Sequence, residues 1–143
     1  MPADERTAHI DGPARLALVD SILDAVDDIC EQTPLVSPED RAAFSLAVSE
    51  VATNMVQHGG SETPVTLSVD LRLGDGELRA ALVDTAPPAS IDWHGVAMPD
   101  VDAEGGRGLA LAQSVLDEIT HSYDESGNTW VLRRRLTGGP TPH

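Results

Sequence analysis

Apolar residues recur at helical spacing from about residue 13 to residue 31, with Leu18, Val19, Ile22, Leu23, Val26, Ile29 and Cys30 on one side. Asp20, Asp24, Asp27, Asp28 and Glu31 gather on the other, so this helix has an acidic back. That back reads either as a solvated face or as a docking surface for a basic partner. Cys30 lies in the apolar stripe and is expected to be an inert core thiol. Ser37-Pro38-Glu39-Asp40 announces a second helix, with serine at the N-cap, proline at the first helical position and an acid placed to bond back to the cap. It continues to about His58 and stops at Gly59-Gly60, and its stripe is Phe44, Val48, Val51 and Met55.

The period then changes to two. Val65, Leu67, Val69, Leu71 and Leu73 alternate with Thr66, Ser68, Asp70 and Arg72. A turn at Gly74-Asp75-Gly76 and a second strand over 77–84 complete a hairpin signal. Residues 85–104 carry three prolines and no clean period, as a functional lid would. Gly105-Gly106-Arg107-Gly108 opens a third helix with Leu109, Ala112, Val115, Leu116 and Ile119 inward, and a last strand covers 129–136. Residues 1–8 and 137–143 read as loose ends flanking one domain over 9–136. One solvated sheet face implies a mostly antiparallel sheet covered by helices on its other face, an α+β two-layer sandwich.

Charge narrows the functions open to this fold. The 143 residues include 24 acids against nine bases, a formal net charge of −15, and every base is arginine. Such a chain is repelled by nucleic acid and by anionic membrane surfaces. Without lysine it has no P-loop lysine and no Schiff base. One cysteine excludes an internal disulfide and a multi-cysteine zinc site. Neither a signal peptide nor an apolar run of membrane-spanning length is present, so a cytoplasmic location is expected.

Three places carry candidate chemistry. Glu50, Asn54 and His58 share a helix face a quarter turn from the apolar stripe, with Ala43 and Ala47 small enough to leave space behind them. Asn54 offers a neutral oxygen suited to Mg²⁺ when phosphates supply the charge, and Glu50 could deprotonate a nucleophile. On spacing alone the row suits better a solvated edge with a C-terminal histidine favoured by the helix dipole. Asp84 shares parity with Leu78, Ala80 and Leu82, so its carboxylate points to the covered face and needs a donor there. That donor is either a ligand's amino group or the turn that begins at Ala86. Gly105, Gly106 and Gly108 let backbone approach an anion at a helix start, and Arg107 adds charge.

In order and wording, these sites resemble the GHKL ATPases, the superfamily of gyrase, Hsp90, histidine-kinase and MutL ATP-binding domains. Glu50-Val51-Ala52-Thr53-Asn54-Met55-Val56-Gln57-His58-Gly59 is similar to the N-box, Val83-Asp84-Thr85-Ala86-Pro87 to the G1 box, and Gly105-Gly106-Arg107-Gly108-Leu109 to the G2 box. The Glu-x-x-x-Asn-x-x-x-His-Gly form resembles the RsbW-like anti-sigma-factor serine/threonine kinases, over about residues 10–136. The resemblance implies the histidine-kinase-like (Bergerat) fold. It also implies Mg²⁺ on Asn54, the adenine amino group of ATP on Asp84 beside Ala86, phosphate on the Gly105-to-Leu109 segment, Thr129 near the nucleotide and Glu50 as general base. The implied partners are a sigma factor and an anti-anti-sigma protein of STAS type, and homodimers are common in that family. Ala86 stands where the G1 pattern has its first glycine, and the lid carries Asp92, Asp100, Asp102 and Glu104. Both features weigh against tight triphosphate binding. They leave a catalytically weak or inactive nucleotide-binding switch as the alternative to a kinase.

Overall fold

A computed structural model of the chain describes residues 5–58, 65–86, 104–125 and 127–137, with backbone alone for 58 and 104–107. The order of elements is β1 (Arg6–Pro13), α1 (Leu16–Glu31), α2 (Pro38–His58), β2 (Thr66–Gly74), β3 (Glu77–Asp84), α3 (Glu104–Val115), β4 (Glu118–Asp124) and β5 (Gly127–Arg135). The strands form one five-stranded sheet in the order β1-β2-β3-β5-β4, and every pairing is antiparallel. The helices cover one face, where Leu67, Val69, Leu71, Leu78, Leu82, Trp130 and Leu132 meet Val19, Ile22, Val26, Phe44, Val48 and Val51 in the core. The α+β two-layer expectation therefore holds, with a sheet that is antiparallel throughout the described residues. Among those residues no helix is long and apolar enough to cross a membrane.

Both edge strands are additions to the sequence reading. Arg6–Pro13 forms β1, where a loose end through residue 8 and a helix from about 13 were expected. Its inward residues are Ala8, Ile10 and Gly12, too small a hydrophobic signal to stand out, and Pro13 sits at its end as edge strands permit. Ile119 likewise belongs to β4 and not to the third helix. Val115, Leu116 and Ile119 keep helical spacing in sequence, but α3 stops at Val115, whose carbonyl accepts a bond of 2.6 Å from Arg134 Nη1. Asp117 then turns the chain, its N–H donating to Arg133 O at 2.9 Å.

Ser37 caps α2 as its sequence indicates, accepting from Asp40 N–H at 3.0 Å. Asp40 does something the sequence did not suggest. Fully buried, it accepts from Arg134 Nε (3.1 Å), Thr137 N–H (2.9 Å) and Thr137 Oγ (3.0 Å), and so joins the start of α2 to the end of β5. Thr137 is thereby tied down, while 138–143 of the expected loose tail lie outside the described residues. The segment expected as a lid lies outside them from 87 to 103, as do Gly59 and Gly60.

Candidate functional site

Strand parity decides where the chemistry of β3 and β5 points. Asp84, the last residue of β3, pairs with Asn128 of β5, and both side chains lie on the helix-covered face. Asp84 is 3% exposed, and three donors converge on its Oδ1: Ala86 N–H (3.1 Å), Asn128 N–H (3.2 Å) and Asn128 Nδ2 (3.0 Å). The bond from Ala86 makes an Asx-turn, so the turn reading of this residue is realised. All three donors take the same carboxylate oxygen. Ala86 is itself buried, and its carbonyl accepts from Asn128 Nδ2 at 3.4 Å. The methyl group that replaces a glycine hydrogen here is packed inside the protein.

Asn128 and its neighbours were not singled out in the sequence. Asn128 is 3% exposed, and its Oδ1 lies 3.1 Å from His121 Nε2 on β4. The His121 ring in turn lies against Trp130, with centroids 4.5 Å apart. Gly127 takes φ +141°, and a Cβ there would overlap the Asp84 carbonyl oxygen. Only glycine lets β5 start this close to Asp84, and a glycine opening a strand is the one sequence signal that could have found the spot.

Thr129 is placed otherwise than the resemblance implies. It pairs with Val83, one position from the Asp84–Asn128 pair, so its side chain points to the open sheet face, away from Asp84. The residue beside the carboxylate is Asn128. Leu109 is 4% exposed and belongs to the hydrophobic core, so its side chain packs and does not present itself to a ligand.

The N-box residues sit on α2 where their spacing put them. Glu50 and Asn54 are half-buried, one turn apart, beside the buried Val51 and Met55. Ala47 is fully buried, so the space expected behind the row is filled there. Gly105, Gly106 and Arg107 lie in the first turns of α3. At Gly108 the helix meets α2: a Cβ built there would overlap Glu50 Oε2 and lie 3.3 Å from Glu50 Cδ. Thus the acid of the first motif and the glycines of the third, 58 positions apart in sequence, touch across the α2–α3 seam.

These residues fit a magnesium nucleotide. Gly108 lets α3 approach the Glu50 carboxylate, and Asp84 places a buried carboxylate at the end of β3. Among the described residues no group of three His, Cys, Asp or Glu gathers to hold a metal ion. A cation at Asn54 would therefore need phosphate oxygens as its other ligands.

Residues 12–134 match the family described as Histidine kinase-like ATPase domain. No curated protein matches the sequence. Among the solved structures that share the fold are these two. One contains the RsbU and RsbW domains of Rv1364c from Mycobacterium tuberculosis, with TM-score 0.65, 22% identity, and coverage of 92% of this chain and 32% of that one. The other is the histidine kinase domain of the Erythrobacter litoralis EL346 blue-light activated histidine kinase, with TM-score 0.56, 20% identity, and coverage of 87% of this chain and 62% of that one. This chain therefore spans about a third of the first structure and under two-thirds of the second.

Proposed function

This chain belongs to the histidine kinase-like ATPase domain family, and on that premise we propose that it is a Mg²⁺- and ATP-dependent serine/threonine kinase of the anti-sigma type. It would bind a sigma factor in the cytoplasm and phosphorylate a serine of a STAS-type anti-anti-sigma protein. The observation that supports this reading is the seam where Gly108 admits the Glu50 carboxylate. It sets a potential base against the helix start whose backbone N–H groups face an anion.

In this reading Asp84 would accept the adenine amino group, its carboxylate being held by the Asn128 side chain and the Ala86 N–H. The amide oxygen of Asn54 would hold Mg²⁺, and the N–H groups of Gly105 and Gly106 in the first turn of α3 would donate to phosphate beside Arg107, with Gly108 one turn further in admitting Glu50. Bound Mg·ATP would supply the transferable phosphoryl group. Glu50 accepts the proton of the partner's serine hydroxyl. Phosphoryl transfer needs mainly positioning and charge neutralisation, so the lack of lysine is no obstacle.

Calorimetric titration of Mg·ATP tests the site. Asn54→Ala and Asp84→Asn should each abolish measurable binding. Unchanged affinity in either variant would refute the assignment. A second reading, a nucleotide-binding switch without catalysis, is favoured by Ala86, whose N–H and carbonyl are both engaged inside the chain. Tight Mg·ATP binding without transfer of labelled phosphate to the STAS-type partner would select it.

A further inference from the structure

The other end of α2 carries a feature that the nucleotide site does not use. Between α1 and the start of α2 a cavity of about 520 Å³ opens to solvent, walled by Cys30, Val36, Pro38, Ala42 and Ser45. Its polar rim is Asp27 and Arg41. Arg41 Nε lies 3.1 Å from Asp27 Oδ1, and its Nη2 lies 3.1 Å from Glu31 Oε1. Asp20, Asp24, Asp27 and Glu31 are spaced four, three and four apart, one row along α1 whose last two members face α2 through Arg41. On α2, Pro38, Ala42 and Leu46 repeat every four residues and are all exposed, Leu46 by 38%. One wall of the groove is therefore acidic and the other apolar. Helix α1 has no basic residue, and Arg41 is the only arginine on α2.

We propose that this groove seats a basic amphipathic helix of a partner protein, with apolar side chains entering the cavity beside Cys30 and cations taking Asp27 and Glu31 in place of Arg41. The occupant follows from complementarity. An apolar stripe beside an acidic row matches a helix with leucine-like residues on one face and lysine or arginine on the adjacent one. Arg41 already shows the contact, since it makes from within the chain the ion pairs that a partner's cation would make. A partner must displace it, so Arg41 restrains binding. A loose acidic surface would have neither the anchor cavity nor this internal competitor.

The test uses the full chain and an 18-residue synthetic peptide of lysine and leucine arranged at helical spacing, with a second peptide of the same composition in alternating order. The helical peptide should bind at least about tenfold more tightly by fluorescence anisotropy, because only it presents the two faces together. Amide shifts should concentrate on 20–31 and 36–46. Ala42→Trp fills the cavity from an exposed position and should weaken binding about tenfold, as loss of a buried anchor does. Should that variant fold poorly, Ser45→Arg, which sets a cation in the cavity wall, should weaken it likewise. Arg41→Gln frees two carboxylates and should tighten binding by roughly three- to tenfold. A control with the charge reduced elsewhere, Asp75→Asn with Glu118→Gln, should leave affinity within about twofold.

Equal binding of both peptides would overturn the proposal. So would shifts spread over the open sheet face, or an Arg41→Gln variant that binds no better. The cavity lies about 20 Å along α2 from Asn54 at 1.5 Å per residue, so peptide binding and Mg·ATP binding can fail separately.

Discussion

Replacing Gly108 by alanine separates stability from function at the α2–α3 seam. Position 108 is inside α3, so alanine gains about 1 kcal/mol in helix propensity over glycine. Against that, the new methyl overlaps Glu50 Oε2 and lies 3.3 Å from Glu50 Cδ. Restoring an ordinary separation of about 3.5 Å requires the carboxylate to retreat by roughly an ångström. Moving a flexible side chain off its preferred rotamer costs about 0.5–1.5 kcal/mol, which nearly cancels the helix gain. Thermal unfolding should therefore shift by no more than about 4 °C. On the proposed kinase reading, phosphoryl transfer should fall about a hundredfold, the cost of a one-ångström misplacement of a reacting group. The assay is transfer from γ-labelled ATP to a STAS-type partner, with the melting curve recorded on the same sample. A folded Gly108→Ala protein with activity within about threefold of the parent would show that Glu50 is not positioned by this seam.

Three further outcomes follow from groups whose environments are set by the fold. Burial raises the Asp40 carboxyl, but the Thr137 backbone, the Thr137 and Ser37 groups and Arg134 outweigh it and leave its pKa below the usual value. Its contribution to stability is present above about pH 4 and is lost as pH falls through the lowered folded value. Asp40→Ala should cost about 3–5 kcal/mol in urea unfolding by stranding Arg134, and a loss under about 1 kcal/mol would contradict this. His9 Nδ1 lies 2.7 Å from Asp70 Oδ1 and Nε2 lies 2.8 Å from Asp11 Oδ2, and its pKa is raised by those bonds, Asp70 first. The stability it lends β1 is complete below about pH 6.5 and is lost as pH rises through the folded value. Amide protection factors over 7–11, with intrinsic base catalysis divided out, should therefore fall at alkaline pH, and His9→Gln should flatten that dependence. Burial pushes the Cys30 thiol up to about 11. Iodoacetamide at neutral pH should accordingly label it only after the chain is unfolded, and rapid labelling of the native protein would show the thiol to be accessible.

Much of the fold was legible because its strongest periods are local. The stripes of α1 and α2, the β2–β3 hairpin and the Ser37 cap each follow from a few neighbouring residues. The two edge strands were not, because each buries little: β1 offers Ala8, Ile10 and Gly12, and β4 offers Ile119 within a helical-looking run. The Glu50 and Asp84 positions were readable from spacing and parity. Asn128, His121 and Gly127 were not, because their roles exist only where β5 lies beside β3.

By itself, then, the sequence determined the helices, the hairpin, the acidic charge and the order of the three motifs, since these depend on contiguous residues and on composition. Tertiary structure alone decided that Gly108 meets Glu50, that Asn128 and not Thr129 stands beside Asp84, and that Asp40 joins Arg134 and Thr137. It also decided that Arg41 bridges the acidic row of α1 to α2. The physical reason is common to all four. Each contact joins residues far apart in sequence, and only the register of the sheet and the packing of helices on it bring them within a few ångströms.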